Sequence, residues 1–108
     1  MYSNTSTGTA RRDYHARLLG HLSNPKRILA CILLSQREMT VGSLSIELGL
    51  SQSATSQHLA GLFGGGIVQC RADAQFRYYS CKHPGTLRII KAMWGFFDTT
   101  VQGEFGRI

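Results

Sequence analysis

Between Leu48 and Cys70 the chain carries no lysine, arginine, aspartate or glutamate, although its formal net charge is +6. Inside that gap lies Ser51-Gln52-Ser53-Ala54-Thr55-Ser56-Gln57-His58-Leu59. Short hydroxyls and amides dominate it, and such groups normally weaken a helix by competing for backbone hydrogen bonds. Helix signals bracket it all the same: Gly49 lies before it, Gly64-Gly65-Gly66 after it, and Leu59 and Leu62 anchor one face. The expected element is a helix capped by Ser51 and running to about Phe63. An uncharged, hydrogen-bonding front edge on a basic protein suits the reading of base edges, with charge supplied from elsewhere.

The neighbouring segments give this helix its setting. Thr40 can cap a preceding helix, Val41 to Leu48, with Leu44, Ile46 and Leu48 as apolar positions and Gly49 as a left-handed stop. Only Gly49-Leu50 separates the two, which makes a helix-turn-helix. Downstream, Ile67–Arg71 and Phe76–Cys81 are β-type runs joined by Ala72-Asp73-Ala74-Gln75, a hairpin or wing. Upstream, Arg12–Leu22 has helical spacing through Ala16, Leu18, Leu19 and Leu22. Asn24-Pro25 then restarts the chain into a helix to about Ser35, burying Ile28, Leu29, Ile32 and Leu33. Met39-Thr40-Val41 reads as a short extended piece. A last helix runs from Pro84 to about Thr100, where Leu87, Ile90, Trp94, Phe97 and Val101 recur at spacings of three and four. That stripe either packs on its own domain or joins two copies; its width and aromatic bulk favour a dimer interface.

The fold class is therefore mainly α with a small β-hairpin: a dimeric winged helix-turn-helix in the order α-α-β-α-α-β-β-α. Residues 1–10 are expected to be a disordered lead-in, 11–101 the DNA-binding and dimerisation domain, and 102–108 a tail. At 108 residues the chain makes one modest core, for which a partner copy is an advantage. Twelve Lys+Arg against six Asp+Glu point to an anionic partner. No apolar run approaches the ~20 residues that span a bilayer, and the Ser/Thr-rich start is neither signal peptide nor anchor. Three irregularly spaced cysteines do not make a secreted disulfide framework, so a cytoplasmic, nucleoid-associated protein is expected. No phosphate loop, paired carboxylates or nucleophile–base pair marks an enzyme.

In a helix-turn-helix the second helix enters the major groove, and its N-terminal residues face the bases. Those residues are Gln52, Ser53, Thr55, Ser56, Gln57 and His58. Gln pairs bidentately with adenine, and Ser and Thr reach either base or phosphate. Grip on the backbone is assigned to Lys26 and Arg27, at the start of the second helix, and to Arg71, Gln75 and Arg77 around the wing. Tyr78 and Tyr79 are assigned to hairpin packing. The partners are double-stranded operator DNA and a second copy, with no membrane. A protein-binding module on the same scaffold is the alternative from another class.

Order and wording resemble the ArsR/SmtB family of bacterial winged-helix repressors. The resemblance rests on LSNPKRILACILL (Leu22–Leu34), MTVGSLSIELGLSQSATSQHLAGL (Met39–Leu62) and GIVQCRADAQFRYYSC (Gly66–Cys81), and the second of these is similar to the metal-independent, NolR/HlyU/BigR-like branch. It implies a homodimer held by the first and last helices, here through Leu18, Leu22, Leu87, Ile90, Trp94 and Phe97. It also implies an inverted-repeat operator, with Gln52, Ser53, Ser56, Gln57 and His58 at or near the bases and Arg77 on the wing. Relatives usually place a charged residue where this chain has Gly64-Gly65.

The resemblance raises the question of a sensor. One family metal site uses a Cys-x-Cys pair in the third helix, where this chain has Val41-Gly42-Ser43. Another uses Asp, His and Glu along the last helix; here there are Asp98 and Glu104 but no histidine. No metal and no cofactor are expected, and no small-molecule effector is specified. Some members of the branch sense oxidants or persulfides through one cysteine in the second helix and one in the last. Cys31 lies one residue off the first position and Asp98 stands at the second. Cys31 reads better as a buried small hydrophobe. Cys70 and Cys81 are candidates to face each other across the hairpin, which keeps a thiol-responsive repressor as the other alternative.

Overall fold

The computed structural model describes residues 2–97, with side chains described for residues 10–93. Seven elements follow in order: α1 Tyr2–His21, α2 Pro25–Gln36, α3 Val41–Leu48, α4 Gln52–Gly64, β1 Gln69–Asp73, β2 Phe76–Ser80 and α5 Pro84–Phe97. The expected order therefore holds except between α2 and α3, where no strand forms. α1 begins at Tyr2 rather than Arg12, so the backbone of the expected lead-in continues the helix. Nothing there forces a break: the segment has no proline and one glycine, Gly8, and the anchored downstream turns propagate it.

Local chemistry sets each boundary of the central motif. The Asn24 side chain accepts from the backbone N–H of Lys26 (2.8 Å) and Arg27 (3.3 Å), with Pro25 at the first helical position. Thr40 and Ser51 cap α3 and α4 in the same way, through Ser43 N–H and Ala54 N–H. Both helices end in a left-handed glycine. Gly49 has φ 68°, and the Leu50 N–H returns to the Ser45 carbonyl at 3.0 Å. Gly66 has φ 75°, and the Ile67 N–H returns to the Leu62 carbonyl at 2.9 Å. This closure satisfies carbonyls at the helix ends and drops Leu50 and Ile67 back toward the core.

α2 is the central element, touching α3, α4, α5 and β2. It accordingly buries Ala30, Cys31, Ile32, Leu33 and Leu34, while Ile28 and Leu29 are only partly buried. Leu44 and Leu48 of α3, Leu59 and Leu62 of α4, and Ile67 join this core, as do Leu18, Leu22, Met39, Val68 and Cys81. Ile46, expected to be apolar packing, is 80% exposed, because Leu44 and Leu48 already define the inner face of this short helix.

The wing is an antiparallel pair with Gln69 opposite Ser80, Cys70 opposite Tyr79, Arg71 opposite Tyr78, Ala72 opposite Arg77 and Asp73 opposite Phe76. Met39 adds a one-residue bridge to Tyr79, with bonds of 2.9 and 3.0 Å, so the expected extended piece ties the wing to the body. The expected four-residue loop tightens to Ala74-Gln75. Ala74 carries φ 56°, a conformation in which an L side chain crowds the backbone. Ala74→Gly should therefore raise stability by roughly 1 kcal/mol, strain relief outweighing the added unfolded-state entropy. Chemical denaturation checks this; a fall in stability would place the turn strain elsewhere.

Candidate nucleic-acid interface

The α4 helix presents two opposite faces. Gln52, Ser53, Ser56 and Gln57 are exposed, and their spacing of four puts them on one side. Thr55, Leu59 and Leu62, at the complementary spacing, are buried. Thr55 is 0% exposed and its hydroxyl donates to the Ser51 carbonyl at 2.9 Å. Its assignment to the bases is therefore corrected: it belongs to the inner stripe. The four- and seven-residue steps to Leu59 and Leu62 carried that signal in the sequence. His58 is half-buried, and its Nδ1 accepts from Arg27 Nε at 3.3 Å. It turns toward α2 and away from the exposed stripe.

Three of the four cations assigned to the DNA backbone also have partners within the fold. Lys26 Nζ donates to the Leu48 carbonyl at 2.7 Å, capping the end of α3. Arg27 bonds His58 and, through Nη1, the His21 carbonyl at 3.4 Å. Arg71 Nε donates to both Glu38 oxygens at 2.8 and 3.0 Å, and its guanidinium lies 4.7 Å from the centre of the Tyr78 ring. The Arg71 hydrogen bond holds the Glu38 carboxyl below its usual range. Arg71 thus braces the wing against the chain before α3. Gln75 and Arg77 remain exposed at the wing tip, and Arg77 takes part in none of the ion pairs found among the described residues.

Comparison with known proteins bears on this geometry. The family model for the bacterial regulatory protein, arsR family, matches residues 24–69, from the Asn24 cap to the first wing residue. The biofilm growth-associated repressor of Agrobacterium fabrum is 34% identical over 82 residues, covering 76% of this chain and 70% of its own. The chain belongs to the ArsR family. The nodulation protein NolR of Rhizobium meliloti is 45% identical over 78 residues, 72% of this chain but only 64% of that relative's length. The crystal structure of NolR from Sinorhizobium fredii superposes with a TM-score of 0.79 at 37% identity, covering 84% of this chain and 91% of that one. A homodimeric winged helix-turn-helix DNA-binding domain, Mb0332 of Mycobacterium bovis, superposes with a TM-score of 0.74 at 25% identity, covering 89% of each. This ArsR-family member thus has the winged helix-turn-helix fold.

The face formed by α1 and α5 differs from expectation in detail. Leu18 and Leu22 are buried inside one protomer, at 7% and 5% exposure, and serve the core rather than a partner. Leu19, at 56%, and Tyr14, at 43%, are large hydrophobic side chains that α1 leaves exposed. Leu87 and Ile90 pack partly against the core. The Trp94 and Phe97 side chains lie outside the described residues, as do Asp98 and Glu104. An open groove of about 590 Å³ runs between α1 and α5, lined by Leu19, Ile89 and Pro84 among others. Tyr14 Oη meets His83 Nε2 at 2.9 Å across it. His83 Nδ1 accepts the Thr86 N–H at 3.1 Å and so caps α5.

The cysteines pair otherwise than expected. Cys70 lies opposite Tyr79, so it does not face Cys81 across the hairpin. Cys81 instead meets Cys31 of α2, both at most 1% exposed. The neighbouring Cys81 thiol and burial both push Cys31 up; the Cys31 thiol and the His83 backbone lower Cys81, against its burial. Sequence spacing cannot show this contact, because α2 and the end of β2 meet only through the fold, where the Cys81 N–H bonds the Leu34 carbonyl at 3.0 Å. Among the described residues no three His, Cys, Asp or Glu side chains gather as a metal site.

Because Thr55 is interior, Thr55→Val should leave base preference unchanged and alter stability by no more than about 1 kcal/mol, the Ser51 carbonyl keeping its bond from the Thr55 N–H. Thermal denaturation with operator titration tests this. A changed preference would return Thr55 to the DNA surface.

Proposed function

We propose that this ArsR-family protein is a homodimeric repressor that reads an inverted-repeat operator in cytoplasmic, nucleoid-associated DNA and works without a metal effector. The observation that carries this reading is the exposed, uncharged row of Gln52, Ser53, Ser56 and Gln57, together with a wing that leaves Gln75 and Arg77 exposed. Carboxamides and hydroxyls discriminate base edges; a cation at a wing tip grips phosphate or enters the adjacent minor groove. The Agrobacterium relative bears the name of a repressor, and the Mycobacterium neighbour is described as homodimeric. The absence of metal control rests on residue types: Ser43 and the histidine-free last helix are poor material for zinc or arsenite.

The test is affinity for a selected operator across a salt series. Gln57→Ala should cost about 1–3 kcal/mol on the operator and blunt discrimination at one base position. Arg77→Ala should weaken binding to all sequences and lower the salt slope by about 0.9. Unchanged affinity and selectivity in Gln57→Ala would remove that side chain from the readout. No salt-sensitive, sequence-preferring complex at all would favour the protein-binding module. A reporter under the operator then separates repression from activation.

A second reading, release of DNA by thiol oxidation, is favoured by the Cys31–Cys81 contact. A hydroperoxide would take one hydrogen from each thiol, join the sulfurs and leave as alcohol and water. On this reading peroxide weakens operator binding at least about ten-fold in wild type, reductant restores it, and Cys31→Ser and Cys81→Ser are inert to both. If mass spectrometry finds the disulfide while affinity stays constant, the bond has no regulatory role.

A further inference from the structure

We propose that Arg27 is a positioning residue: lodged between His21 and His58, it sets how α4 lies on the body, and so how selectively the protein reads DNA, without touching the duplex itself. The proposal rests on the reading of α4 given above and adds a residue to it.

The geometry comes from three elements. Arg27 stands in the first turn of α2, and its guanidinium crosses to α4, where Nε donates to His58 Nδ1 at 3.3 Å. Nη1 reaches back to the His21 carbonyl at the end of α1, at 3.4 Å. One planar group thereby ties α1, α2 and α4, which a lysine's single ammonium is poorly shaped to do. Because Nδ1 accepts, a neutral His58 carries its proton on Nε2.

The helix is shaped to receive this group. A Cβ on Gly61 would sit 2.7 Å from Arg27 Nη2 and 3.0 Å from its central carbon. One turn later, a Cβ on Gly65 would meet the His21 ring at 2.6 Å. Glycine inside a helix is less stable than alanine, so Gly61 makes physical sense as room for the guanidinium. The pair Gly61 and Gly65, four residues apart, forms a flat strip on which Arg27 and His21 lie. Gly64 meets nothing within 4 Å, which separates the two fitted positions from an open one.

Position matters here because α4 reads with neutral groups. A phosphate contact tolerates small displacements, since charge attraction falls off gradually. A bidentate amide–base pair does not, since its bonds weaken steeply with angle and distance. Loosening the strut at His58 therefore acts first on Gln57, its chain neighbour, and on Ser56 within the same turn.

The experiment uses the full chain, a duplex enriched from a random pool and a shuffled version of that duplex. Affinity is measured for both over a salt series, with melting temperature and dimer state recorded for each variant. Arg27→Ala and Arg27→Lys should each reduce the enriched-to-shuffled ratio by roughly ten-fold and leave the salt slope at the wild-type value. Gly61→Ala should do the same while keeping the arginine, and it carries the test if Arg27→Ala does not fold. The double variant Arg27→Ala with His58→Leu should be no less selective than either single one, because both cut the same link. The proposal is overturned if Arg27→Ala weakens both duplexes equally and lowers the slope by about 0.9, the signature of a lost phosphate contact. Full selectivity in Arg27→Lys overturns it as well. A wild-type protein that fails to enrich any duplex fails earlier, on the reading of α4 rather than on Arg27.

Discussion

The anchoring of one face of α4 is the constraint on which the rest of the molecule depends. Hydroxyls and amides discriminate bases only if they are held within hydrogen-bonding tolerance, and a helix rich in Ser, Thr and Gln has little intrinsic stability to offer. Thr55, Leu59 and Leu62 supply what propensity does not: they lock one side of the helix into a core built around α2. The Ser51 cap and the Gly66 closure then fix both ends. Stability and readout sit on opposite faces of the same thirteen residues.

Charge follows a matching division. A basic chain has cations to spare, and several of them brace the structure. Lys26 closes α3, Arg27 spans three helices, and Arg71 binds Glu38 and stacks on Tyr78. These contacts hold α3, α4 and the wing in one arrangement, so the wing-tip Arg77 projects from a fixed base. In this account few cations supply affinity while the neutral row supplies selectivity. A related economy holds at α5, where His83 both caps the helix and meets Tyr14 of α1.

Much of the architecture was legible because local chemistry writes boundaries. Asn24-Pro25, Thr40, Gly49, Ser51 and the Gly64–Gly66 run each acted where their residue types predicted. What escaped was tertiary in origin. Thr55 looked like a contact because its type suits DNA, although its spacing from Leu59 placed it inside. Lys26, Arg27 and Arg71 looked free because a sequence does not show which carbonyl, imidazole or carboxylate a long side chain will meet. The cysteine pairing inverted for the same reason: hairpin register put Tyr79 opposite Cys70 and left Cys81 to Cys31. Leu18 and Leu22 had the right apolar character for an interface, but the core claimed them first.

Selection of duplexes from a random pool by the full-length protein is the most direct examination of the central claim. The account predicts enrichment of a two-fold symmetric motif whose half-sites lie about one helical turn apart, roughly 10 base pairs from centre to centre. A pool that stays unenriched while the protein still binds it in a salt-dependent way would mean that the neutral face of α4 reads nothing. The cations alone would then account for the binding.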